Sequence, residues 1–329
     1  MNALFVLNTN LMTQRIVTVT IVKTAKTAKN ITKMHKKHVI SINRIGIIFR
    51  SPQQFLQLIC NASSYCRSCQ QRNIFFVSRL VVFNETFANL SNSQDFCILW
   101  HEGIAGRNAT DVASAYIKCV SLCEKENIIF WTDNCAGQNK NWTLFNALVW
   151  CVNTVWGPQE ITIKFLEKGH TFMRADSVHG SIGKALKSEE IVPDFDNFVD
   201  LCNGSSKSIK SVVLHPNDMY QFVDGHRCRS NKKVKLPLLA SIVIVKFCKN
   251  SRSLFYKSDF DGQYEEVDFL KKKHDIHTVA ATQEGPRGVA RKKKESIIKI
   301  LKGIPATKLK FWSELPVNDN STDLIEEFE

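Results

Sequence analysis

Asp111, Asp133, Asp176 and His179 are the residues in this 329-residue chain whose type and spacing could do chemistry. Asp133 closes the apolar stretch NIIFWT (127–132) and opens DNCAGQNKN (133–141), a run of small residues and amides that includes Lys140. At the carboxyl end of a strand in an α/β sheet a side chain is held fixed, and the next helix aims its N-terminal amides at the same place. An acid there suits metal or phosphate chemistry. The same residues suit a plainer role, in which Asp133 and Asn134 cap a turn and bind their own backbone. Asp176 opens a helical segment within GHTFMRADSVHGSIGKAL (169–186), and His179 follows one turn later on the same face. Asp176 could equally cap that helix. Asp111 falls in the first turn of a helix after WHEGIAGRN (100–108), and Glu102 is a weaker fourth acid. Hard cations such as Mg²⁺ or Mn²⁺ take carboxylate oxygens and keep waters, so two or three acids from separate elements can hold one.

The elements that must position these residues read clearly from about residue 74 onward. IFFVSRLVVF (74–83) and FCILW (96–100) are rich in aromatic and β-branched residues and predict strands, with NETFANLSNSQD between them as turn. TDVASAYIKCVSLCEK (110–125) has helical spacing, with Asn108 or Thr110 as N-cap. NIIFWT predicts a short buried strand, NWTLFNALVWCVNTVW (141–156) a helix stopped by Gly157-Pro158, ITIKFLEKG (161–169) a strand and 176–190 a helix. This string describes an α/β domain with helices on both sides of its central strands. Residues 1–55 form a basic, poorly ordered segment in this reading, 56–204 the α/β domain, and 205–329 a smaller α+β unit. The last unit ends in a helix over 292–315 that Gly303 and Pro305 break.

With 44 Lys and Arg against 31 Asp and Glu, the formal charge is +13. Such an excess draws polyanions whatever the fold, and points to DNA or RNA as partner and to an intracellular, nuclear location. Lys232 and Lys233, Lys271 and Lys272, and Arg291 and Lys292 lie in basic runs; Arg107 and Lys140 stand next to the acids. No long apolar run free of charge predicts a membrane-spanning helix. Eleven scattered cysteines, an odd number, fit reduced thiols better than a disulfide framework, and Cys66-x-x-Cys69 has no second pair at zinc spacing. GSIGKA (180–185) lacks the spacing and the hydroxyl of a phosphate loop, and no GxSxG or HExxH occurs, so acyl transfer and zinc hydrolysis lack support.

TDNCAGQNKN (132–141) and GHTFMRADSVH, together with WHEGIAGRNATDVAS (100–114) and KILKGIPATKLKFWSELP (299–316), closely resemble four ordered motifs of a large uncharacterised animal family. That family carries SDNCGGQNKN followed by GHT or GHS and DSVH. It is similar to transposon-derived, RNase H-like domains of the DDE type. The resemblance implies an RNase H-like mixed sheet flanked by helices and aligns Asp133 with the family's central acid. It aligns Asp176 and His179 with the DSxH helix, Asp111 with a helix carboxylate, Arg107 with the Gly-Arg element and His170 with the Gly-His element. Two departures stand out. The family opens with an Asp-Leu-Gln strand, yet this chain has no Asp before Asp95, and Cys60 or its neighbours fall in that slot. The family also places a Glu seven residues after the DSxH aspartate, where this chain has Gly183. Losing ligands from a compact charge cage weakens Mg²⁺ binding sharply. The expectation is a nucleic-acid-binding protein with a degenerate metal-carboxylate site. The alternatives are an active Mg²⁺-dependent nuclease or strand-transferase, which would need Glu85 or Glu102 as substitute acid, and a non-enzymatic protein-interaction remnant.

Overall fold

The computed structural model describes residues 45–58, 79–91, 94–135, 138–167, 173–189, 192–222, 225, 235–278, 280–301, 306–322 and 324. Near the middle of its main sheet lies β1 (Ile45–Leu58), antiparallel to β2 (Leu80–Asn89), which is antiparallel to β3 (Asp95–His101). On the other side of β1, β4 (Asn127–Thr132) and β5 (Glu160–Phe165) run parallel to it. β6 (Ile209–Val213) joins β3 in parallel, and β7 (Tyr220–Gln221) pairs with β11 (Ala281–Thr282) in a separate ribbon. β8 (Ile244–Cys248), β9 (Leu254–Lys257) and β10 (Glu265–Val267) extend the sheet beyond β5 with antiparallel pairings. The resulting order is β10-β9-β8-β5-β4-β1-β2-β3-β6.

Helices cover both faces, as the sequence pattern predicts. Val112, Tyr116 and Val120, spaced four apart on α1 (Ala109–Leu122), and Leu144, Leu148 and Val152 on α2 (Trp142–Asn153) pack against Phe83, Phe87, Trp100, Phe130 and Ile163. Tyr116 meets Phe87 and Phe130 edge-on, with ring centroids 5.3 and 5.0 Å apart. The opposite face takes α3 (Arg174–Ser188), α4 (Phe195–Gly204), α5 (Arg291–Ile300) and α6 (Ala306–Glu314). Val178, Ile182, Phe198, Ile297 and Trp312 pack there against Val82, Ala88, Cys97 and Leu99. Each large side chain so buried contributes about 1.5–3 kcal/mol.

Three expectations change. NETFANL does not turn: Asn84, Glu85 and Thr86 continue β2 with no solvent exposure, because β1 and β3 flank them and take their backbone groups. The N-terminal segment does not stay irregular to residue 55, since 45–58 form β1; residues 1–44 lie outside the described residues. Of the strands after residue 205, β6 and β8–β10 join the sheet begun before them, while β7 and β11 pair apart from it in the two-stranded ribbon. The terminal helix is two helices, α5 and α6, on either side of 302–305. All seven described cysteines are free thiols. No helix among the described residues is long and apolar enough to cross a membrane.

Candidate functional site

β1, β3, β4, β5 and β6 all point the same way, so the loops that follow β3 and β4 leave one edge of the sheet. The first of them, HEGIAGRN, is closely fixed. Trp100 donates its indole N–H to the Gly106 carbonyl at 2.9 Å, and the Asn108 side chain caps α1 by accepting from the Thr110 and Asp111 amides at 2.9 and 3.0 Å. Asp111 returns the bond, Oδ2 accepting the Asn108 N–H at 3.0 Å, which completes a capping box. Burial pushes the Asp111 carboxyl up to about 6, against the opposing pull of the Asn108 amide and the Arg287 charge. The C-terminal segment is stitched across this loop. Arg287 and Gly288 donate their backbone N–H groups to Ile104 and Gly103, and Gln283 donates its amide to the Ile104 carbonyl at 2.9 Å. Gly288 has φ +75°, and a Cβ there would lie 2.8 Å from Asn318, so the close approach requires glycine. Glu102, fully buried, accepts from the Val81 amide at 2.8 Å and from the Lys293 ammonium at 2.7 Å.

The loop after β4 closes on itself. Asp133 Oδ1 accepts the Cys135 N–H at 3.1 Å and an amide N–H of Asn139. The Cys135 carbonyl takes the N–H groups of Gln138, Asn139 and Lys140. Asn134 donates to the Leu166 carbonyl and accepts from Lys140 Nζ at 2.7 Å. Lys140, expected to face a phosphate, is instead only 4% exposed, its ammonium 4.4 Å from the Phe165 ring centroid. The Phe165 ring of β5 packs on one side of that ammonium and Asn134 bonds it on another. Asn141 caps α2, accepting the Leu144 N–H at 2.8 Å. Asp133 and Asn134 therefore do what their plainer reading required, binding their own loop. Thr132 Oγ1, Gln138 Oε1 and Asn139 Oδ1 are buried there without a hydrogen bond.

The third element is α3. Asp176 Oδ2 accepts the Met173 N–H at 2.6 Å, so it caps the helix. His179 points into the sheet, its Nε2 2.8 Å from Thr86 Oγ1, and burial pushes its ring down to about 4 despite the Asp176 charge. This is a satisfied core histidine. Arg174 holds the same helix end to Asp95 at 3.3 Å, where burial raises the Asp95 carboxyl even with that cation beside it. GSIGKA lies inside the helix.

The residues present do not fit a two-metal carboxylate cage. Asp111, Asp133 and Asp176 each accept a backbone N–H of their own loop or helix end, and among the described residues no group of three or more His, Cys, Asp or Glu side chains is placed to hold a metal ion. β1 carries no acid. Its register sets Ser51 opposite Thr86, and its pairing with β4 runs from Ile45–Asn127 to Phe49–Trp131. Cys60 lies outside the described residues. Neither substitute acid completes a cage: Glu102 is tied to Lys293, and Glu85 is buried close enough to Cys119 to raise its thiol.

The basic residues divide. Lys271 and Lys272 are exposed. The run at 291–294 is largely structural. Arg291 pairs with Asp319 at 3.4 Å, Lys293 is buried on Glu102, and Lys294 donates to the Ser313 and Leu315 carbonyls, leaving Lys292 as an exposed charge. Lys232, Lys233, His170, Cys66 and Cys69 lie outside the described residues. Arg107 lines a cleft of about 800 Å³ with Asp111, Cys135 and Gln138, and across it stand Gln283 and Arg287. Gln138 lies inside the amide-rich DNCAGQNKN run, whereas Gln283 and Arg287 carry no motif and only the fold reveals them; the Gly-Pro-Arg-Gly turn at 285–288 was the one local signal. No protein-family model, no curated protein and no solved structure matches this chain.

Proposed function

We propose that this chain is a nucleic-acid-binding protein with an RNase H-like domain of transposase ancestry, in which the metal-carboxylate centre has degenerated. The observation that carries the reading is a pairing of topology and chemistry. The strands run β3-β2-β1-β4-β5, antiparallel among the first three and parallel from β1 to β5, the order expected of an RNase H-like sheet, yet the strand at its centre has no carboxylate. The +13 charge favours a polyanionic partner, and in this reading Arg107, which lines the cleft, and the exposed Lys271, Lys272 and Lys292 would contribute to holding it. An active nuclease would need the acids gathered around a metal, and the local engagement of Asp111, Asp133 and Asp176 speaks against that arrangement. The test is a pair of assays on the full chain. Electrophoretic retardation of labelled DNA and RNA should show binding that weakens steeply with salt, with a log–log slope near −0.9 per phosphate contacted on duplex DNA. Incubation with Mg²⁺ or Mn²⁺ should yield no cleavage. Robust cleavage that disappears in Asp133→Ala would overturn the degenerate-site reading, and failure to retard either nucleic acid at low salt would favour a protein-interaction role.

A further inference from the structure

The cleft at the carboxyl edge of the sheet has the makings of a ligand site apart from the metal chemistry. At about 800 Å³ it lies within the roughly 300–1,000 Å³ span of small-molecule pockets. Arg107 and Arg287, from distant parts of the chain, line it with one acid, Asp111, and the Arg287 guanidinium also donates to the Glu102 and Thr322 carbonyls. Guanidinium forks match phosphate oxygens in geometry as well as charge. Asp111 uses Oδ2 to accept the Asn108 N–H, which leaves Oδ1 as an acceptor. Gln138 completes the set. It is 7% exposed, it lines the cleft, and its Oε1 makes no hydrogen bond. A buried amide oxygen without a donor costs the fold stability, and such a group calls for an explanation. A primary amide carries an acceptor and two donors and can turn to offer either, which is the complement of a nucleobase edge.

We propose that this cleft binds a single unpaired nucleotide, its phosphate on Arg107 and Arg287 and its base edge on the Gln138 amide and the Asp111 carboxyl. Unstacked bases are read in this way, on their Watson–Crick and Hoogsteen edges, when single strands are bound. A free nucleoside monophosphate and a nucleotide within a strand present the same chemistry. The proposal rests on the nucleic-acid-binding reading only for the second source.

The experiment titrates the full chain with adenosine, cytidine, guanosine and uridine monophosphates, with inorganic phosphate, and with a fluorescent single-stranded oligonucleotide. Wild type, Gln138→Leu and Arg287→Gln are compared, with thermal midpoints measured for each. At least one mononucleotide should bind saturably and more tightly than phosphate. Gln138→Leu should weaken it about tenfold, the loss of roughly one hydrogen bond, while its thermal midpoint holds or rises because an unsatisfied polar atom is gone. Arg287→Gln should weaken mononucleotide and phosphate alike. Should Arg287→Gln fail to fold, given that its guanidinium also bonds Thr322, Gln138→Leu decides alone. Equal affinity of wild type and Gln138→Leu for every mononucleotide, or no mononucleotide binding, overturns the proposal. Oligonucleotide binding indifferent to both substitutions refutes this cleft as the site of a nucleotide within a strand and leaves the nucleic-acid reading standing. Mononucleotide binding that depends on the cleft, without oligonucleotide binding, does the reverse.

Discussion

Replacing Asp133 with alanine separates a loop-organising acid from a metal ligand. Its Oδ1 accepts the Cys135 N–H at 3.1 Å and an amide N–H of Asn139, a residue with no solvent exposure. Hydrogen bonds to a charged acceptor contribute about 1.5–3 kcal/mol each, and a buried donor left behind adds its desolvation cost. The Cys135 amide is only half-buried and can turn to water, so the loss should come chiefly from Asn139. That places the destabilisation of Asp133→Ala at about 2–4 kcal/mol, near the upper end of ordinary single substitutions. Urea unfolding followed by circular dichroism, with and without Mg²⁺ at millimolar concentration, reads both quantities. The wild-type curve should not move with Mg²⁺, whereas a metal bound at one hundred times its dissociation constant would add about 2.7 kcal/mol. A loss below about 0.5 kcal/mol in Asp133→Ala would refute the loop-organising account. A Mg²⁺ stabilisation of wild type that the substitution abolishes would put the acid back in a metal site.

Acid should destabilise the fold. His101, between the rings of Phe195 and Phe311, and His179 are each pushed down by burial to about 4, so their contribution is present above the unfolded value near 6.5 and is lost as pH falls toward 4. Each is worth about 3 kcal/mol. Asp111, raised to about 6, acts with the opposite sign: its contribution is full below its unfolded value of 3.8 and lost as pH rises through 6, which offsets about one histidine. Urea melts at pH 7 and pH 4.5 should therefore differ by roughly 3 kcal/mol in favour of pH 7, and a flat profile would contradict the burial of the two rings. The Glu102–Lys293 pair, 1% and 4% exposed at the side chains, predicts that Glu102→Gln costs about 3–5 kcal/mol by leaving a buried ammonium facing a neutral amide. Glu102→Gln combined with Lys293→Met should recover much of that loss in the same melts, and a single-substitution cost below about 1 kcal/mol would mean that water reaches the pair.

Much of the frame was legible in the sequence because its signals are local. The four-residue spacing of Val112, Tyr116 and Val120 sets α1, Asn108 and Asp111 write its cap within four residues, and NIIFWT between polar flanks sets β4. The three acids were rightly placed at element ends for the same reason. The Asn-Glu-Thr stretch misled, since polarity reads as turn unless strands on both sides bury it, and those strands come from residues remote in sequence.

What the tertiary structure decided is which of these groups meet. Lys140 and Lys293 look like surface charges in the chain; Lys140 is buried because β5 lays Phe165 against it beside its loop partner Asn134, and Lys293 because the fold brings Glu102 to it. Asp111, Asp133 and Asp176 look like one cage, and each instead accepts a backbone N–H of its own loop or helix end. Gln283 and Arg287 join the cleft with no motif to announce them, since the segment at 283–288 crosses the loop after β3 by backbone pairing. Periodicity and capping depend on neighbours a few residues away and can be read from the chain. Burial, ion pairing and a shared cleft depend on distances between residues far apart in sequence, and those exist only once the sheet is assembled.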